Sequence, residues 1–274
     1  MKSIALLYHD VVDRGEHDTS GFPGRAAGLY KLGVDAFGDH MQAVARVIRC
    51  EPAIAPQLLA GASAESAWLL TFDDGGVSAY VPIADVLEKL GWRGHFFITT
   101  DYIGAPGFLS REQIRELRRR GHVIGSHSAS HPMRMSARSW ETLLHEWQSS
   151  AGVLADVLGE EVSVASVPGG FFSKKVARAA AAAGIRVLFT SEPTTRCELV
   201  DECLVVGRYS LRTGTPARTA ADIGRGRRLP RVTRWLSWNA RKVAKSVGGE
   251  MYLRAWRLAL REPPPSSARA PMAG

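Results

Sequence analysis

The sequence predicts an α/β fold in which a mostly parallel sheet closes into a barrel, and three observations support this. Over residues 1–213, short β-type runs alternate with segments of helical periodicity, the order that sets strands side by side and parallel. About seven such runs occur, enough to favour a closed barrel over an open sheet. Polar clusters follow four of them directly, at the strand ends where barrels of this kind gather their chemistry. A chain of 274 residues with 45% hydrophobic side chains can bury one large core. No stretch approaches the roughly 18 apolar residues of a membrane span.

Taken in order, strands are expected over 3–8, 67–72, 93–98, 122–125, 162–167, 186–189 and 204–206, each a run of β-branched, aromatic or leucine residues. Helices are expected between them. The span 34–49 carries apolar residues at helical spacing, and Pro82 opens a helix over 83–90. Ser110 caps 111–120, with Gln113 completing a capping box. Helices over 139–158 and 174–183 follow, the second closed by Gly184. Residues 1–213 form the expected main domain and 214–274 a short basic extension.

The net charge of +8 is concentrated in that extension. Between Gly207 and Arg261 fourteen basic residues stand against two acidic ones, Asp222 and Glu250, which leaves the rest of the chain mildly acidic. Val232, Trp235, Leu236, Val243 and Val247 recur at helical spacing, with Arg231, Arg234, Arg241, Lys242 and Lys245 between them. This basic amphipathic helix has two open readings: packing on the main domain with its basic face in solvent, or contact with an anionic membrane surface. Nucleic-acid binding is not expected, since no single-strand or groove-reading motif is present. Gly248 and Gly249 break the helix, and Pro263, Pro264 and Pro265 end the ordered chain. The first residues show no secretory signal pattern, so a cytoplasmic address is expected, at most peripheral at the inner face of the membrane. Cys50, Cys197 and Cys203 have no zinc-finger spacing and are read as reduced thiols.

The four post-strand clusters are Tyr8-His9-Asp10, Thr71-Phe72-Asp73-Asp74-Gly75, His127 through His131, and Val167-Pro168-Gly169-Gly170. Asp73 and Asp74 would face opposite sides of a strand, so they can serve one site only where the strand yields to a loop, which Gly75 and Gly76 permit. One carboxylate can then bind a metal while the other stays off it as a base. His127 and His131, four residues apart, can present both imidazoles to one side. Singly, the acidic pair is an ordinary turn and the histidines ordinary caps. At equivalent strand ends they form a two-histidine, one-carboxylate set with open positions, as a catalytic divalent-metal site requires, most simply for zinc. Such an ion lowers the pKa of bound water to about 7.

These residues resemble the polysaccharide deacetylase family, the NodB-homology group of carbohydrate esterase family 4. Thr71 to Asp74 match its T-F-D-D motif, and His127, Ser128 and His131 its H-S/T-x-x-H motif. The resemblance covers roughly residues 1–210 and implies a distorted (β/α)7 barrel. It also implies a hydrolase that removes an N-acetyl group from an acetamido sugar in a glycan, glycolipid or glycoside, with release of acetate. Asp73 would be the general base, and Asp74, His127 and His131 would hold the metal. Two rivals are a catalytically silent carbohydrate-binding relative and an amidase acting on a non-sugar amide.

The chain departs from the family at its third motif, where Ser166-Val167-Pro168-Gly169-Gly170 lacks the arginine that braces the base. Arg208, after the 204–206 strand, is a candidate replacement, the alternative being packing at the surface or against the tail. The Gly169 amide, within Pro168-Gly169-Gly170, is placed to donate to a developing oxyanion. No histidine follows His145, yet Leu6-Leu7-Tyr8-His9 reads as the family's L-x-x-H, moved to the N-terminus. His9 is therefore the expected general acid, with Asp10 as its tuner. Phe171 and Phe172 are candidates to line the acetyl pocket.

Overall fold

The computed structural model describes residues 1–13, 15–59 and 67–240. Its strands are β1 (Ser3–Tyr8), β2 (Val11–Val12), β3 (Leu32–Gly33), β4 (Ala67–Phe72), β5 (His95–Ile98), β6 (Val123–Ser126), β7 (Val164–Ser166), β8 (Val187–Phe189), β9 (Glu198–Val200), β10 (Cys203–Val206) and β11 (Arg208–Ser210). The helices are α1 (Arg25–Gly28), α2 (Val34–Val47), α3 (Ala55–Leu59), α4 (Ile83–Lys89), α5 (Arg111–Arg119), α6 (Trp140–Leu158), α7 (Lys174–Ala182) and α8 (Ala217–Gly224). The main sheet runs β11-β1-β4-β5-β6-β7-β8-β10-β9, parallel throughout except where β9 meets β10.

β10 and β11 are halves of one bent strand, parted by Gly207 alone. The first half pairs with β8 (Leu204 opposite Val187) and the second with β1 (Arg208 opposite Ala5), which closes a distorted barrel. The bend needs glycine: a Cβ on Gly207 would lie 2.5 Å from the Glu192 carbonyl oxygen, which accepts the Arg208 N–H.

Strand alternation divides the core. Ala5, Leu69, Phe97, Val187, Phe189 and Val206 form one cluster, inside the barrel. Ile4, Leu6, Tyr8, Leu70, Phe72, Phe96 and Ile98 point the other way, onto the buried faces of α2, α4 and α5. The α5 capping box forms as its sequence predicts, Gln113 N–H donating to Ser110 Oγ and Ser110 N–H to Gln113 Oε1. Ser139 caps α6 and Ser173 caps α7.

Inside the barrel, fully buried His95 accepts the Ala55 N–H at Nε2 (2.9 Å), with Nδ1 2.9 Å from the Leu70 carbonyl. Burial pushes its pKa down to about 4. The folded state thus holds it neutral, while the unfolded chain takes up a proton below about pH 6.5. His95 therefore costs no stability above that pH, and stability falls by about 3 kcal/mol as pH drops from 6.5 towards 4. Urea unfolding between pH 7 and 4.5 should show a shallower pH slope for His95→Gln than for the parent. Equal slopes would assign the titration elsewhere.

Beyond residue 213 the chain first forms α8, whose Ala220 and Ile223 share a core cluster with Met41 and Val44 of α2. The barrel's packed layer therefore includes the first part of the segment assigned to the extension. Residues 228–240 are helical. Leu229, Val232, Trp235 and Leu236 are exposed there, whereas Arg234 and Trp238 are half-buried on the side of the barrel mouth. The remainder of the expected amphipathic run, from Arg241 through Val247 and on to Pro265, lies outside the described residues. No described helix is long and apolar enough to cross a membrane.

Candidate active site

Two consecutive carboxylates reach one cleft because the backbone turns over at the end of β4. Asp74 adopts φ 78° and Gly75 φ 82°, left-handed conformations that release the chain from strand alternation. Asp73 keeps the inward direction of Thr71, two residues before it. There it meets Arg208, which is fully buried and extends from β11 between the rings of Phe97 and Phe189. Nη1 donates to Asp73 Oδ1 and Nη2 to Oδ2, both at 2.7 Å, while Nε donates to the Thr190 carbonyl at 3.0 Å. Arg208 therefore occupies the bracing position that the third motif leaves vacant.

His127 follows β6 directly, and His131 lies at the end of a loop in which Ser128 (φ 64°) and His131 itself (φ 56°) are also left-handed. Such residues cost roughly 1–3 kcal/mol each and persist only where surrounding contacts hold them. Here Glu146 of α6 provides those contacts, accepting from Ala129 N–H (3.0 Å), Ser130 N–H (2.9 Å) and Ser130 Oγ (2.6 Å). The ligand atoms of Asp74, His127 and His131 lie within 4.8 Å of one another. Asp74 Oδ1 is 3.3 Å from His127 Nε2 and 3.6 Å from His131 Nε2. Nδ1 of His127 is 2.5 Å from Ser166 Oγ, which leaves Nε2 directed at the carboxylate, and the same hydroxyl donates to Asp73 Oδ1 at 3.1 Å.

The electrostatics match the geometry. Burial alone would push both carboxyls up. For Asp73 the Arg208 charge outweighs that penalty and holds the pKa below the usual carboxylate range. For Asp74 the His127 hydrogen bond and the nearby imidazoles bring it well below that range. Burial pushes His131 down to about 4, so at neutral pH its imidazole is uncharged, the form that binds metals. A buried carboxylate beside two imidazoles, with space open around them, fits a divalent ion held by three protein groups.

These side chains form the floor of a cleft of about 800 Å3. His9, at the end of β1, lines it with its ring 4.7 Å from that of Tyr30 and with a buried Nδ1 that has no hydrogen-bond partner. Gly169 (φ 62°) and Gly170 (φ 71°) also line it, with Phe171 and Phe172, while Pro168 is buried. Asp10 does not turn to His9. Its Oδ1 accepts from Ser20 Oγ (2.6 Å) and Ser78 Oγ (2.9 Å), so it tethers the loop after β2. Buried Lys31 completes that tether, donating to the carbonyls of His17, Ser20 and Phe22 at 2.6, 2.6 and 2.7 Å. The Phe22 ring is thereby set 4.8 Å from His131.

The sequence reading therefore brought together Asp73, Asp74, His127, His131, His9 and Gly169, but passed over Ser166, Glu146 and Lys31. Glu146 did leave a signal, a charge on the helix face that otherwise buries Leu143, Trp147, Ser150 and Leu154.

Residues 60–188 match the family described as polysaccharide deacetylase. The chain is 29% identical over 133 residues to a peptidoglycan-N-acetylmuramic acid deacetylase of Bacillus subtilis, a match covering 48% of this chain and 49% of that protein. It spans about half the length of the curated relatives it matches. In fold it is similar to IcaB from Ammonifex degensii, with TM-score 0.65 and 22% identity over 81% of this chain and 97% of the other. A Streptococcus pyogenes deacetylase in complex with acetate superposes with TM-score 0.61 and 18% identity, over 77% of this chain and 93% of that one.

Proposed function

We propose that the chain, whose residues 60–188 match the polysaccharide deacetylase family, is a metal-dependent hydrolase that removes the N-acetyl group of an acetamido sugar. The observation that carries this reading is the convergence of Asp74, His127 and His131 beside a second carboxylate, Asp73, that a buried guanidinium holds ionised. Asp74, His127 and His131 would hold the ion. Zinc suits this mixed imidazole and carboxylate set, and it would supply Lewis acidity and an easily deprotonated water.

The remaining roles belong to the chain. Asp73 takes a proton from the attacking water, its lone pair oriented by the bidentate Arg208 contact. The amide of Gly169 donates to the oxygen that gains charge as the acetyl carbonyl becomes tetrahedral, a contribution of about 3 kcal/mol for one aligned donor. Phe171 and Phe172 pack against the acetyl methyl. His9, at the cleft wall, protonates the leaving nitrogen as the C–N bond breaks, giving acetate and a free amino sugar.

Acetate release from acetylated amino sugars by zinc-loaded protein, abolished by chelation and restored by metal, tests the reading. A silent binding relative would release none. An amidase would prefer simple acyl amides over acetylated sugars. For His9→Ala, kcat is expected to drop about 10²- to 10⁴-fold with metal content intact. Near-normal turnover would remove the acid role from His9.

A further inference from the structure

One hydroxyl stands between the base and a candidate ion ligand. Ser166 ends β7, is fully buried, and heads the segment from which the third-motif arginine is missing. Its carbonyl oxygen lies 3.2 Å and its Oγ 2.5 Å from His127 Nδ1. A carbonyl oxygen only accepts, and Oγ gives its own proton to Asp73 Oδ1 at 3.1 Å, so Nδ1 is the donor to both. Nε2 is then the nitrogen left to face Asp74, where a lone pair can serve an ion.

The same hydroxyl makes the two oxygens of Asp73 unequal. Oδ1 accepts from Ser166 Oγ at 3.1 Å and from Arg208 Nη1 at 2.7 Å, which takes up both of its lone pairs. Among the described residues, Oδ2 accepts from Arg208 Nη2 alone and keeps one lone pair open. Oδ2 is also the oxygen on the side of the ligand nitrogen, 3.9 Å from His127 Nε2. Without the hydroxyl, the guanidinium fork would hold two equivalent oxygens, and His127 Nδ1 would keep only its longer contact to the Ser166 carbonyl.

We propose that Ser166 is a positioning residue that acts in two directions through one hydroxyl. It keeps the His127 proton on Nδ1, so that Nε2 binds the ion, and it occupies Asp73 Oδ1, so that Oδ2 is the atom that takes the proton from water. Arg208 supplies the charge beside the base, and Ser166 decides which oxygen is free. The second direction rests on the deacetylase reading above, whereas the first needs only that an ion binds.

The test removes the hydroxyl and keeps the strand. Zinc affinity of the metal-free full chain, measured by competition with a chromogenic chelator, should fall about 10- to 100-fold in Ser166→Ala. With zinc saturating and an acetylated amino sugar as substrate, kcat should fall about tenfold or more while KM stays within about twofold, because the hydroxyl acts on the base and not on the sugar. Ser166→Thr, which restores a hydroxyl on Cβ, should return both values towards the parent. Parent-like zinc affinity in Ser166→Ala overturns the ligand-orienting role, and parent-like kcat at saturating zinc overturns the base-orienting one. Equal losses in the alanine and threonine variants overturn both, since they trace the effect to packing. If the parent chain releases no acetate, the deacetylase reading fails and takes the base-orienting role with it, while the zinc competition still decides the ligand-orienting role.

Discussion

Asp73→Asn is expected to lower kcat by about 10²- to 10⁴-fold while the protein still folds and still binds its metal. The amide keeps the shape of the carboxylate but cannot accept a proton from water. Asp74, His127 and His131 are untouched, so metal content by emission spectrometry should equal that of the parent. The pair of readouts separates base from ligand: Asp74→Asn should lose both metal and activity, whereas Asp73→Asn should lose activity alone. Loss of metal in Asp73→Asn, with metal retained in Asp74→Asn, would reverse the two assignments.

Arg208→Met should be the most damaging single change to stability, at about 3–5 kcal/mol, because it leaves the Asp73 charge inside the barrel without its partner. Asp73 is held below the usual carboxylate range by that guanidinium. Its folded pKa is depressed, so the pair stabilises the fold above the carboxyl's unfolded value of about 4, and that contribution is lost as pH falls through the folded value. In the variant the carboxyl moves up, and the acid limb of the kcat/KM profile should shift to higher pH. The double variant Arg208→Met/Asp73→Asn should recover much of the lost stability, since no buried charge remains. An additive double variant, or an unmoved acid limb, would mean that the two groups do not act on each other.

Much of the barrel was legible because its strands obey local rules. Ser3–Tyr8 and Ala67–Phe72 stand where their apolar runs lie, and the Ser110–Gln113 box marks the start of α5. The candidate ion-binding set was legible as well, since Asp74, His127 and His131, which the fold brings together, fall in two short motifs at strand ends. Features fixed by long-range contacts were not. β11 is three residues long and exists by pairing with β1, roughly 200 residues earlier. Ser166 looks like an ordinary core serine until His127 and Asp73 arrive on either side of it. Asp10 was misread as a partner of His9 because the two are adjacent in sequence. In the fold, the hydroxyls of Ser20 and Ser78 claim it, the second from 68 positions away. α8 was read only as part of the basic extension, because what sets it on the barrel is its packing against α2, far away in sequence.

The bend at Gly207 has a consequence for the order in which the site is assembled during synthesis. The nucleotide-to-protein reading direction delivers the three ion ligands by residue 131, but the guanidinium that readies the base arrives 77 residues later, on the strand that shuts the barrel. A nascent chain halted between those points would carry the ion-binding residues with no braced proton acceptor. On the function proposed above, readying of the base and completion of the ring are thus one event.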